Sequence, residues 1–360
     1  MSFKPVLYST RDNPVPEGAL CGAVTATDGI RLRFARWMPQ REPCHGTVCV
    51  FPGRTEKIEK YFETVRDLLL RGFAVAALDW RGQGGSQRLL TNPMKGHIKD
   101  FAEYQLDIEA LLREAVLPDM PGPYFALAHS MGAAILLDHA RRGETSFDRM
   151  FLVAPMLDLS LLKHDAVARR VARMLARLGL SRAYVPTRRV RPMHEIHFEG
   201  NRLTSDATRF ARNLTISIEH PQLEVGPPTI GWVKAAFDLM ETLADPASAR
   251  AIRQPLLMVG AGADKIVCTP TIEHLGTRLI AGQTLTDSRE GVGDRIIQVT
   301  SGAAATIGTA AGVVISAPVA VVDPSTRDNL DDQLEHLGES VSQTAQSTGN
   351  LVTQPMSGSR

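Results

Sequence analysis

Short apolar runs, separated by glycine-rich turns and helical segments, set the rhythm of the first half of the chain. Leu20–Ala26 and Ile30–Trp37 alternate apolar and polar positions around Asp28-Gly29, which predicts a hairpin with a two-residue turn. Gly46–Phe51 is a short apolar run stopped by Pro52-Gly53, the pattern of a buried strand ending at a loop. Glu56–Leu70 has helical spacing, and Arg71-Gly72 closes it. Phe73–Leu78 predicts another buried strand, leading into the glycine-rich turn Asp79–Ser86. Asp100–Ala115 reads as a helix, Tyr124–His129 as a buried strand, Met131–Leu137 as a helix and Arg149–Ala154 as a further strand. Strand and helix alternate with short turns, which predicts an α/β fold with a mostly parallel sheet covered on both faces.

Residues 157–245 break the rhythm, with helical stretches and no clear strand. Within them Asp165–Leu180 places Val167, Val171, Met174, Leu175 and Leu178 on one face and Arg169, Arg170, Arg173 and Arg177 largely on another. Such a helix either packs its apolar face on the core with a solvated arginine face, or meets anionic headgroups at a membrane surface. The rhythm resumes with the strand Pro255–Val259, the turn Gly260–Asp264 and a helix over Thr271–Ile280. Gln283–Thr286 begins like one more strand.

Composition adds a boundary. The 360 residues are 44% apolar and 22% charged, as a globular protein requires. A net charge of +1 gives no argument for nucleic acid. Residues 287–360 hold four Arg, no Lys and nine acidic residues, against an excess of basic residues before them. The expected division is a domain over 1–286, with an insertion over about 157–245, and an Ala/Gly-rich, acidic extension over 287–360. Ile296–Val322 is 27 residues without a charge and has Gly308 and Gly312 at small-xxx-small spacing. It reads either as a membrane segment or as a loosely ordered tail. Cys21, Cys44, Cys49 and Cys268 lie in no metal-like or redox-like spacing and read as buried thiols of a reducing compartment. The N-terminus lacks the apolar run of a signal peptide, so the expected location is cytoplasmic, with membrane association left open. No metal or nucleotide motif appears, so no cofactor is expected.

The chemistry centres on Ala128-His129-Ser130-Met131-Gly132. A serine placed at a strand-to-helix turn with small residues two before and two after it has the form of a nucleophile elbow. The following helix points its N-terminus at the serine, which favours a developing anion. Other segments fall in a matching order: Pro52–Glu56, Asp79–Gly84, Gly96-His97, Asp100-Phe101 with Tyr104, and Asn201–Asp206 with Arg209. Together, from about residue 18 to 286, they resemble bacterial lysophospholipases of the α/β-hydrolase superfamily, close to the monoacylglycerol lipases.

The resemblance implies a serine hydrolase acting on monoacyl glycerolipid esters, with a broader carboxylesterase or a silent lipid-binding protein as alternatives. It implies Ser130 as nucleophile, the N–H groups of Arg54 and Met131 as oxyanion hole, Asp264 as the acid orienting a histidine, and residues 157–245 as a cap. The family's histidine turn is expected near residue 292, where the sequence Ser288–Ile297 has no histidine. His336 is the only histidine beyond the expected last strand and is the fallback base. Partners are a small lipid ester and, at most, a membrane surface; the oligomeric state is left open.

Overall fold

The computed structural model describes residues 5–159, 165–185 and 197–286. The tail readings and His336 lie outside the described residues.

The predicted hairpin forms as β1 (Leu20–Thr25) and β2 (Arg31–Trp37), antiparallel to each other, but its turn is three residues, Thr27-Asp28-Gly29, and not the expected two: the Ala26 N–H donates to the Ile30 carbonyl at 2.9 Å, and Gly29 takes the positive φ that closes the loop. β2 pairs antiparallel with β4 (Ala74–Leu78). From there β3 (Thr47–Phe51), β5 (Tyr124–His129), β6 (Arg149–Val153) and β7 (Leu256–Val259) continue the sheet in parallel, in the order β1-β2-β4-β3-β5-β6-β7. Parallel strands end on one edge of a sheet. The turns after β3, β5 and β7 therefore open on the same edge, with β5 beside β3 and one strand away from β7.

β3 and β4 are buried along their whole length, which explains their unbroken apolar runs. The side-chain period of two divides them between faces. Val48, Val50, Val75 and Ala77 pack under Phe62, Val65 and Leu69 of α1 (Phe62–Leu70). Cys49, Phe51, Ala76 and Leu78 join the larger core, with α2 (Glu103–Leu111) and α3 (Met131–Arg141). The four cysteines are free thiols; only Cys49 is fully buried, and the other three are half-buried. A buried cluster sits beneath the β4 turn. Arg33 pairs with Glu59 at 2.7 Å and with Asp79 at 2.6 Å, and Asp79 also accepts the Ile58 N–H. One cation between two carboxylates satisfies groups that would otherwise be costly inside.

Between β6 and β7 lie α4 (Asp165–Arg177), α5 (Ala207–Glu219), α6 (Ile230–Ala244) and α7 (Pro246–Ala251). α4 packs on α6 through the side that carries arginines. Ala172 is buried, the Arg169 guanidinium lies 5.1 Å from the Phe237 ring centre, and Arg173 pairs with Asp238 at 2.9 Å. The apolar stripe faces outward: Val167, Val171, Met174 and Leu178 are 58, 42, 53 and 69% exposed. The face of α6 that α4 meets offers Asp238 and Glu241, so arginine stems and charges cover it better than valines would. Of the two readings of this helix, the one that packs the apolar stripe on the core is overturned.

The chain ends its described part in α8 (Thr269–Thr286). Residues 283–286, expected to begin a strand, are the last turn of that helix. β7 is the last strand among the described residues.

Candidate active site

Ser130 stands between the end of β5 and the start of α3 with φ 50° and ψ −112°. A non-glycine residue at positive φ is strained and is held there by its surroundings. The holding groups are visible. The Ser130 N–H donates to the Val153 carbonyl at 2.9 Å, and its own carbonyl accepts from Met156 at 3.1 Å and Ala134 at 3.1 Å. Ser130 is half-buried, whereas Met131 behind it is buried.

Gly132 explains how the junction meets the loop after β3. A Cβ there would lie 2.5 Å from the Phe51 carbonyl oxygen and 2.6 Å from that of Pro52. Only glycine lets the first turn of α3 press against that backbone. The contact brings the segment carrying Met131 to the segment carrying Arg54. Among the described residues, the Met131 and Arg54 N–H groups donate to no protein acceptor.

Several groups fix the 52–56 loop. The Pro52 carbonyl accepts from Trp80 Nε1 at 2.7 Å, and the Gly53 carbonyl from Gln83 Nε2 at 2.9 Å. Glu56 Oε2 accepts from the Gly53 N–H and from the Tyr61 hydroxyl, each at 2.5 Å. His129 Nδ1 lies 3.1 Å from the same oxygen. Burial alone would raise the Glu56 carboxyl, but the charges and hydrogen bonds of His129 and Lys60 hold it well below the usual carboxylate range. The role of Glu56 escaped the sequence reading; the signal was an acid three residues after a Pro-Gly turn. Arg54 directs its side chain away from solvent. Its Nη2 donates to the Gly226 carbonyl at 2.7 Å, and its guanidinium lies 5.0 Å from the Trp232 ring centre. Burial pushes its pKa down to about 10.

Asp264 lies in the turn after β7, half-buried, on the same sheet edge as Ser130. Its Oδ1 accepts from the N–H groups of Ile266 at 2.7 Å and Val267 at 2.9 Å, which fixes the carboxylate. Among the described residues no histidine is hydrogen-bonded to it. The structure thus joins Ser130, Met131 and Arg54 through Gly132, and sets Asp264 on the same edge one strand beyond β6.

The sheet order, the helices inserted after β6 and the strained serine junction define an α/β-hydrolase. The chain belongs to the hydrolase family described as serine aminopeptidase, S33, whose model matches residues 42–287. It is 34% identical over 251 residues to lysophospholipase L2 of Escherichia coli (strain K12), covering 68% of this chain and 70% of that protein. It is 28% identical over 246 residues to the probable lysophospholipase L2 of Haemophilus influenzae, covering 68% and 76%. Among solved structures it resembles a soluble variant of monoglyceride lipase from Saccharomyces cerevisiae in complex with a substrate analog, with a TM-score of 0.56 and 18% identity over 76% of this chain and 86% of that one.

Proposed function

We propose that this chain is a serine hydrolase that cleaves the ester of a monoacyl glycerolipid, as a lysophospholipase or monoacylglycerol lipase. Ser130 attacks the acyl carbonyl. The Arg54 and Met131 N–H groups bind the oxygen that becomes negative, and Asp264 orients an imidazole that takes the serine proton. The observation that carries this reading is the strained Ser130 backbone held against the 51–52 carbonyls by Gly132. The 34% identity to a lysophospholipase supports the substrate class. In this reading residues 157–245 cap the site, and 287–360 form a separate extension. The exposed stripe Val167, Val171, Met174 and Leu178, flanked by Arg170 and Arg177, suits contact with a lipid surface. Among the described residues no helix is long and apolar enough to cross a membrane.

A fluorophosphonate probe tests the nucleophile. The proposal expects labelling that Ser130→Ala abolishes, together with release of fatty acid from lysophosphatidylcholine or monoacylglycerol. A panel of short-chain esters separates a broader carboxylesterase. A second reading is a lipid-binding protein with an impaired triad, favoured by the lack of a histidine partner for Asp264 among the described residues. Folded, lipid-binding protein that resists the probe would establish that reading. His336→Ala tests the fallback base.

A further inference from the structure

A cavity of about 800 Å³ opens between α4, the segment from Leu89 to Glu103, and α6. None of Ser130, Met131, Arg54 or Asp264 lines it. Five cations do: Lys99, Arg173, Arg177, Arg182 and Lys234. Only Glu103 and Asp238 oppose them along the lining. Asp238 is already shared, with Arg173 at 2.9 Å and Lys234 at 2.7 Å. Glu103 lies 3.5 Å from the buried Arg81. Among the described residues, Lys99, Arg177 and Arg182 have no ion pair.

Like charges converging on one space repel, an effect that solvent and salt reduce here because Lys99, Arg177 and Arg182 are exposed. An anion inside relieves it. Guanidinium forks match the paired oxygens of a phosphate. We propose that this cavity is a binding site for a phosphate-bearing anion, held by Lys99, Arg177 and Arg182. The volume falls within the range of small-molecule sites and accepts a ligand of glycerophosphate size. Burial, with Arg182 and Lys95 nearby, holds His97 below the usual imidazole range, so the ring on this wall remains a neutral hydrogen-bonding group. Its Nδ1 lies 2.8 Å from Thr229 Oγ1. The exposed Met174 lies on the same helix as Arg177 and the exposed Leu178 follows directly after it, so the phosphate belongs either to a lipid headgroup or to a soluble ester. The inference does not depend on ester cleavage.

Direct binding by the full chain distinguishes the sources. Calorimetry uses sn-glycerol 3-phosphate, and flotation uses phosphatidylcholine vesicles with and without phosphatidylglycerol. Binding of either probe, weakened at least about tenfold by Arg177→Gln with Arg182→Gln and lessened by salt, supports the site. Glycerol 3-phosphate binding identifies a soluble ester; vesicle binding alone, dependent on phosphatidylglycerol, identifies a headgroup. Lys99→Gln, on a loop, repeats the test should the double variant fail to fold. Failure of both probes to bind, or equal binding by the folded variants, overturns the proposal. Neither readout uses Ser130, so an inactive enzyme leaves the result interpretable.

Discussion

The Nδ1 of His129 lies 3.1 Å from Oε2 of Glu56, tying the residue before Ser130 to the loop after β3. The same carboxylate receives the Gly53 N–H and the Tyr61 hydroxyl, so one side chain sets the height of the Arg54 backbone relative to the serine. Glu56→Gln keeps the shape and removes the charge. Misplacing a reacting group by about 1 Å can cost on the order of 100-fold. The expected result is a loss of roughly that size in kcat/KM, with slower fluorophosphonate labelling and intact folding by circular dichroism. Unchanged kinetics would show that the loop holds its position without the carboxylate.

Gly132→Ala tests the close approach itself. The added Cβ meets two carbonyl oxygens at 2.5 and 2.6 Å, and both belong to backbone, so no side chain can swing aside. Overpacking of this kind typically costs about 1–3 kcal/mol. A lower melting temperature is expected, along with labelling reduced more than the population of folded protein. Ala128→Gly, at the other small position, introduces no clash and is expected to leave labelling within about twofold. A normal labelling rate in Gly132→Ala would remove the argument that this contact assembles the site.

Ser130→Gly separates strain from chemistry. At φ 50° and ψ −112° a serine is held in a costly conformation, whereas glycine accepts positive φ readily. Relief of about 1 kcal/mol or more is expected as a raised urea midpoint, while labelling disappears. Ser130→Ala keeps the Cβ, so it is expected to lose labelling with a smaller gain. Equal midpoints for the two variants would mean that the turn is not strained by its side chain.

The sheet was legible because Thr47–Phe51 and Ala74–Leu78 are apolar on both faces, a pattern that suits a central parallel strand. The serine junction was legible because steric demand restricts the residues around it. The orientation of α4 was not. Periodicity tells which residues share a face, but the partner decides which face is buried, and Asp238 and Glu241 on α6 select the arginines. The last turn of α8 was misread for a related reason: Gln283–Thr286 is too short for local preference to outweigh continuation of a helix.

Acid stability supplies a test away from the proposed site. His139 is 6% exposed; its Nδ1 lies 2.8 Å from Gln105 Oε1, and its Nε2 is buried with no partner. With the carbonyl as acceptor, Nδ1 carries the hydrogen and the ring is neutral. Burial pushes its pKa down to about 4, with Arg142 adding to the effect and Asp138 opposing it. An unfolded histidine titrates at about 6.5. Between those values the unfolded chain takes up a proton that the native ring refuses, so stability is greatest above about pH 6.5 and falls as the pH drops toward 4. The loss from this group is about 2 kcal/mol by pH 5. His139→Asn keeps a donor near the Nδ1 position and does not titrate. Urea midpoints at pH 7 and pH 5 are therefore expected to differ less in the variant than in the parent, by about that energy. An identical acid slope in both would place the sensitivity elsewhere.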